Sequence, residues 1–521
     1  MKKLLFFVMS GVFASSAMGQ FFDVVSYKGA FAPYPAAAWT DGWANFDPQN
    51  ENYPAATVTV NSNITSNTTW TSNNVYLLDD AFIYVTNNAT LTIQPGTVIR
   101  GTGKGTLIIE RGSKIIAQGT AANPIVFTSN APAGSRDYGD WGGVVICGHA
   151  QHNSPAGTNA LTEGGIGDLA TGRGLHGGNN DADSSGVMTY VRIEFPGISL
   201  TAQSNSEING LSMYSVGSKT VMHHIQVSYS GDDSFEWFGG TVNGKYLYAF
   251  RGWDDDFDTD LGYRGNVQFA VANRDPEVAD QSGSNGFESD NDGSGTTNTP
   301  KTAPVFHNVT IIGPVYAGAP TMHPDYKRAL HIRRNSATSV FNSIFAGYPD
   351  AGLLLDSRRT VANYCGSDLK FEGNILAGNK NQFKLASNSD TLCIANVAAM
   401  NGLLIVDNDT LATANEVELI DAFNNNLALR DLRPLGTWSN QEVAVNNTLS
   451  VFPNPASSSI SVELNENSKI EIIDIAGKVV YSSNNAQAGM HSIDVNAFAK
   501  GTYAIRISNQ ASVQTAKFIK N

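Results

Sequence analysis

The feature that most constrains this chain is a 22-residue repeat between His224 and Asp292. Offset by that length, Phe235 falls on Phe257, Glu236 on Asp258, Asp232 and Asp233 on Asp254 and Asp255, and Gly240 on Gly262. A third row starts with Phe269 on Leu247 and Val271 on Ala249. After an insertion it resumes as Asn285-Gly286-Phe287-Glu288-Ser289-Asp290. Short alternating strands closed by Gly and Asp turns, at a period of this length, are stacked coils of a β-solenoid.

The same design recurs on both sides. Thr90–Ile99 and Thr106–Ala117 alternate apolar and polar residues, as do Tyr190–Phe195, Val305–Ile312 and Phe371–Leu376. Every second residue of a strand points one way, so stacked coils share one apolar interior. Few Asn-Gly turns occur where hairpins need them, which favours parallel coils. The expected fold is all-β: a right-handed parallel β-helix over residues 76–441, with Gly-, Asn- and Asp-rich surface insertions at 148–188, 275–284 and 293–301. Residues 442–448 read as a linker. Regular short strands from residue 449 to 521 predict a small Ig-like β-sandwich.

The N-terminal end reads differently. Lys2 and Lys3, the apolar run Leu4–Ala14 and Ala17-Met18-Gly19 have the form of a signal peptide over residues 1–19. No later apolar run approaches the ~20 residues a spanning helix needs, so no transmembrane segment is expected after its removal. Residues 20–75 show no period and include Trp39 and Trp43. They are expected to cap the first coil; a sugar-stacking surface is the alternative.

The net charge is −14, and residues 20–446 carry 25 basic against 42 acidic residues. That balance argues against a nucleic-acid partner and suits a secreted protein or one that binds cations. Of three cysteines, Cys365 and Cys393 flank one insertion and can pair, whereas Cys147 ends an apolar strand as a buried thiol.

Strand parity sorts the repeat by face. Phe235, Phe257 and Phe287 point inward, and Asp233, Asp255 and Asn285 share their parity as a ladder bonding backbone amides. Glu236, Asp258 and Glu288 point outward, with Asp256, Asp260 and Asp290 beside them. At ~4.8 Å between coils, stacked carboxylates repel unless something offsets them. Three answers stand open: Ca2+, the metal these six residues would ligate; raised pKa values shared for acid/base work; or screening by solvent. In the next coil His331 and Arg333 point out beside Glu288 and Asp290. They are the candidate catalytic residues if the face is enzymatic, and otherwise neutralise the ladder.

Two resemblances add to this. Phe452-Pro453-Asn454-Pro455, Ile472–Lys478, Gly489-Met490-His491, Lys500-Gly501-Thr502-Tyr503 and Lys517-Phe518-Ile519-Lys520 resemble the type A C-terminal sorting domain of type IX secretion cargo in Bacteroidota. That implies recognition by the outer-membrane translocon and a secreted or cell-surface destination. Trp141–Ile146 and Ser282–Glu288 resemble uncharacterised right-handed β-helix surface proteins, more loosely pectin-lyase-like enzymes. The resulting expectation is a binding or adhesion protein with a Ca2+-stabilised acidic ladder and glycan contact. A Ca2+-dependent polysaccharide lyase or hydrolase, or a structural surface protein, are the alternatives.

Overall fold

The computed structural model describes residues 21–32, 36–199, 208–315, 321–386, 409–411, 451–464, 466–473, 479–508 and 513–521. The expected signal peptide, the expected linker and Cys393 lie outside them. The chain divides into two units, Met1–Pro434 and Leu435–Asn521. In the first, the described coils stack into a 17-stranded and a ten-stranded sheet, paired in parallel. This is the parallel β-helix read from the repeat.

The interior follows parity. Phe235, Phe257 and Phe287 are buried, with ring centroids 5.6 Å and 5.2 Å apart up the stack. Phe257 touches both neighbours, so Phe257→Ala should cost about 3–5 kcal/mol, read from the denaturant midpoint. The 22-residue register holds from Phe235 to Phe257, but the third row slips: Leu247 pairs with Ala270 and Tyr248 with Val271. An extra residue in the turn before Asn266 moves Phe269 from Leu247 onto Tyr246.

That shift serves a corner. Tyr190, His224, Tyr246, Phe269 and Asn308 each sit at positive φ, between +51° and +59°, in the middle of a long strand. Such residues pay a steric cost. Here the bend turns each side chain outward onto the one above: ring centroids are 4.3 Å apart for Tyr190–His224, 4.4 Å for His224–Tyr246 and 5.1 Å for Tyr246–Phe269.

The N-terminal segment does not cap the first coil. Residues 21–32 and 36–56 form a strap along the flank of the long sheet. Gln268 grips the N–H and C=O of Asp23, and Gln226 those of Asn45. Ala30 N–H donates to Thr310, and Gly29 N–H to the Asn342 carbonyl. Trp43 is buried and Trp39 stacks on Phe31 against Tyr246 and Tyr248, so both tryptophans are spent on packing. Coils begin at Val58–Val60, earlier than residue 76, because that strand already pairs with Val75–Asp79. One helix, Arg358–Cys365, interrupts the later coils, capped by the Ser357 side chain. Cys365 is disulfide-bonded.

In the second unit, Val451–Phe452, Ser459–Leu464 and Gly489–Asp494 form one antiparallel sheet. Ser468–Ile473, Val479–Ala486, Gly501–Ser508 and Val513–Lys520 form another. Ile460, Ile472, Ile505 and Phe518 lie in one core of this unit.

Candidate metal centre

The outer face of the ten-stranded sheet changes chemistry along the stack. Read through strand pairs, one row runs Tyr84, Ile108, Val145, Ser212, Glu236, Asp258, Glu288, His331. Its apolar start is covered by the insertion after Gly148. Ile166 packs with Ile108, Val145 and Tyr214, and its carbonyl accepts from the Tyr84 hydroxyl at 2.9 Å. Cys147 joins this cluster as a buried free thiol, and burial pushes its pKa up.

Beyond the cover the row opens into a cleft of about 750 Å³, lined by eleven carboxylates and by the guanidinium groups of Arg333 and Arg334. The strands place Glu236, Asp258, Asp260 and Glu288, and Asp290 directly follows the strand Phe287–Ser289. Insertions add Glu163 and Asp280, and the turns before the strands add Asp232, Asp233, Asp254 and Asp255. Glu163 and Asp280 have no counterpart in the repeat, so nothing in its register marked them.

Carboxylate oxygens gather in three groups, each within 4.8 Å: Asp232, Asp233 and Asp254; Asp233, Glu236 and Asp258; Asp255, Asp258 and Glu288. Asp233 belongs to the first two and Asp258 to the last two, so the groups form a chain. Asp233 and Asp255 also make the amide ladder: Asp255 N–H donates to Asp233 at 2.8 Å, and Asn285 N–H donates to Asp255. At the turn, strict alternation fails, and one carboxylate can bond the backbone while still lining the cleft.

Asp256 departs from the expected outward row. Its side chain is fully buried, 2.8 Å from Arg274, and it does not line the cleft. It stands one residue before the strand Phe257–Asp260, where the turn has not yet taken up the strand's alternation.

The electrostatics follow from crowding. Burial, then Asp258, pushes Glu236 well above the usual range; burial, then Glu288, does the same to Asp258. Burial, then Asp280, lifts Asp254 to about 7. Asp258 Oδ1 and Asp254 Oδ1 are buried with no hydrogen-bond partner among the described residues. Glu236 accepts from the Asn209 amide.

The far end is neutralised. Arg333 pairs with Glu288, and with Asp290 at 2.8 Å, while Arg334 reaches Asp290 at 2.7 Å. His331 lies between Glu288 at 3.4 Å and Asp356 at 3.1 Å. Burial pushes Glu288 up, but His331 and Arg333 outweigh it and hold Glu288 below its usual range. Asp356 carries no repeat signal and was missed in the sequence.

The donors in the three groups are all carboxylate oxygens, which suits a hard cation and not zinc or copper. The residues present could therefore hold a hard divalent cation, and Asp233 and Asp258 are the members shared between groups.

Residues 62–419 match the family described as pectate-lyase like beta helix domain, and residues 450–521 match the secretion system C-terminal sorting domain. No curated protein and no solved structure matches the chain. The sorting domain makes the chain type IX secretion cargo, delivered to the cell surface or the extracellular space. Among the described residues no helix is long and apolar enough to cross a membrane. With 358 of its 521 residues inside that match, the chain belongs to the pectate-lyase like beta helix family.

Proposed function

We propose that this exported β-helix is a binding or adhesion protein that holds Ca2+ in its acidic cleft and contacts glycans through it. The observation that carries the reading is the chain of three carboxylate groups sharing Asp233 and Asp258. Like charges this close repel strongly when partly buried, and a divalent cation offsets that with oxygen ligands alone. A bound cation with open positions is in turn a point of attachment for sugar oxygens. Trp253, 38% exposed and next in sequence to Asp254 of the cleft, is the aromatic residue this reading assigns to sugar stacking.

The enzymatic alternative draws less support. A general base must reach its proton directly or through one water. Arg333 is held by Glu288 and Asp290, and His331 stands between Glu288 and Asp356. Both are committed to the ladder.

Calorimetry on the chelator-treated full chain should show Ca2+ binding that Asp258→Asn weakens by about 10–100-fold, the scale seen when a determinant of a metal site is lost. Polysaccharide should then be retained with Ca2+ and released by chelator, without new unsaturated products. Absence of Ca2+ heat would sink the metal reading; accumulation of unsaturated sugar would turn the assignment to a lyase.

A further inference from the structure

Three arginines among the described residues of the first unit are more than nine-tenths buried: Arg100 at 6% exposure, Arg136 at 4% and Arg274 at 2%. Arg274 meets a carboxylate, Asp256. Arg100 and Arg136 meet none among the described residues; their bonds go to carbonyls. Arg100 donates to the carbonyls of Tyr53, Pro54, Asn130 and Ala131, and Arg136 to those of Pro48 and Ala131. The acid that feels Arg136, Glu194, is itself held by Arg192 at 3.2 Å and by the Tyr53 hydroxyl at 2.9 Å.

Both arginines line one cleft of about 530 Å³, and no carboxylate is among its lining residues. Three segments build it. The strap supplies Asn52 to Ala56, the coils supply Leu77 and Arg100, and the loop after Ser129 supplies Asn130 to Arg136. Arg136 lies over the Tyr53 ring, 4.9 Å from its centroid, which fixes the plane of its guanidinium.

Carbonyl dipoles satisfy N–H donors but leave two positive charges with no directly paired carboxylate among the described residues. Buried charges are ordinarily paired, and leaving one uncompensated is costly. A protein of net charge −14 has acids in excess to pair them, and at this place uses none. Guanidinium groups match oxyanions in shape and charge. Tyr53, Leu77 and Pro132 give the cleft an apolar wall, which suits an anion carried on a small organic body. We infer that the Arg100–Arg136 cleft is a binding site for a small organic oxyanion, separate from the acidic cleft and of opposite charge.

The test uses the full chain, with thermal melting and calorimetry against inorganic phosphate, sulfate, glucose 6-phosphate and neutral glucose, at matched ionic strength. The expected result is saturable binding and a raised Tm with the anions, strongest for glucose 6-phosphate, and none with glucose. Arg136→Gln should abolish it. Because that change can also loosen the strap, Ala133→Glu at an exposed position of the same cleft provides a second variant. It places a carboxylate beside the arginines without touching their carbonyl bonds, and should abolish anion binding while keeping or raising the ligand-free Tm. Binding of phosphate and sulfate alone would restrict the site to bare anions and overturn the organic-ligand part. No effect beyond ionic strength, or binding undiminished in Ala133→Glu, would overturn the site itself.

Discussion

Stripped of divalent cations, the full chain is expected to melt at lower temperature as pH rises from about 5 to about 8, and added Ca2+ should remove most of that slope. The sign follows from the cleft. Unfolded aspartate and glutamate titrate near 3.9 and 4.3. Folded, Asp254 is pushed up to about 7 by burial and then Asp280, and Asp233, Glu236, Asp255, Asp258 and Asp260 lie well above their usual range, with burial the first cause in each. The folded state therefore binds more protons than the unfolded state across this window, and stability falls with rising pH wherever that holds. The contribution is fully present below about pH 4 and is lost as each folded pKa is passed. Glu288, which His331 and Arg333 hold below its usual range, is ionised in both states over this window. His152, His176, His223 and His224, which burial holds below the usual imidazole range, work in the other direction, four groups against six. Ca2+ replaces the protons it displaces, so its effect must grow with pH. At a free concentration a hundredfold above Kd it adds about 2.7 kcal/mol. Asp258→Asn should flatten the chelated profile and shrink the Ca2+ response together. A chelated Tm that is level or rises between these pH values would contradict the account.

The repeat made the coil stack legible because a Phe on the inner face, a Glu/Asp on the outer face and a Gly at the turn recur at one spacing. It also put Glu236, Asp258 and Glu288 in one row, and strand pairing sets them side by side. What it could not carry lies where the repeat stops. Glu163 and Asp280 come from insertions, which have no register to read. Asp256 broke parity because it belongs to the turn and not to the strand. The strap was misplaced because an aperiodic segment says nothing of where it docks. Its anchors, Gln226 and Gln268, are fully buried polar residues on the outer side of strands, and an amide there has to find a partner.

The second large effect is expected at Arg274. Its guanidinium and the Asp256 carboxylate are both wholly inaccessible and 2.8 Å apart. Removing one member of such a pair leaves a buried charge with nothing to balance it, at a cost of about 3–5 kcal/mol. Arg274→Ala should therefore lower the denaturant midpoint more than any single substitution in the cleft. Burial already pushes Asp256 up to about 7 with Arg274 beside it. Without that charge the carboxyl rises further, so the deficit of Arg274→Ala should shrink as pH falls and Asp256 takes a proton. Arg274→Met combined with Asp256→Asn, which leaves no charge behind, should recover much of the loss at neutral pH. The effect reaches the cleft as well. Arg274 also bonds the Trp253 carbonyl at 3.2 Å and lies over the Tyr326 ring, whose hydroxyl donates to the carbonyls of Asp275 and Val278. Trp253 precedes Asp254 of the first carboxylate group, and the segment after Asp275 carries Asp280 of the cleft lining, so both of these acids hang on this arginine. Arg274→Ala should thus weaken Ca2+ binding even where the protein remains folded, whereas the neutral double variant should regain stability without regaining affinity. Stability and affinity recovering in step would mean that the pair acts on the cleft only through the fold.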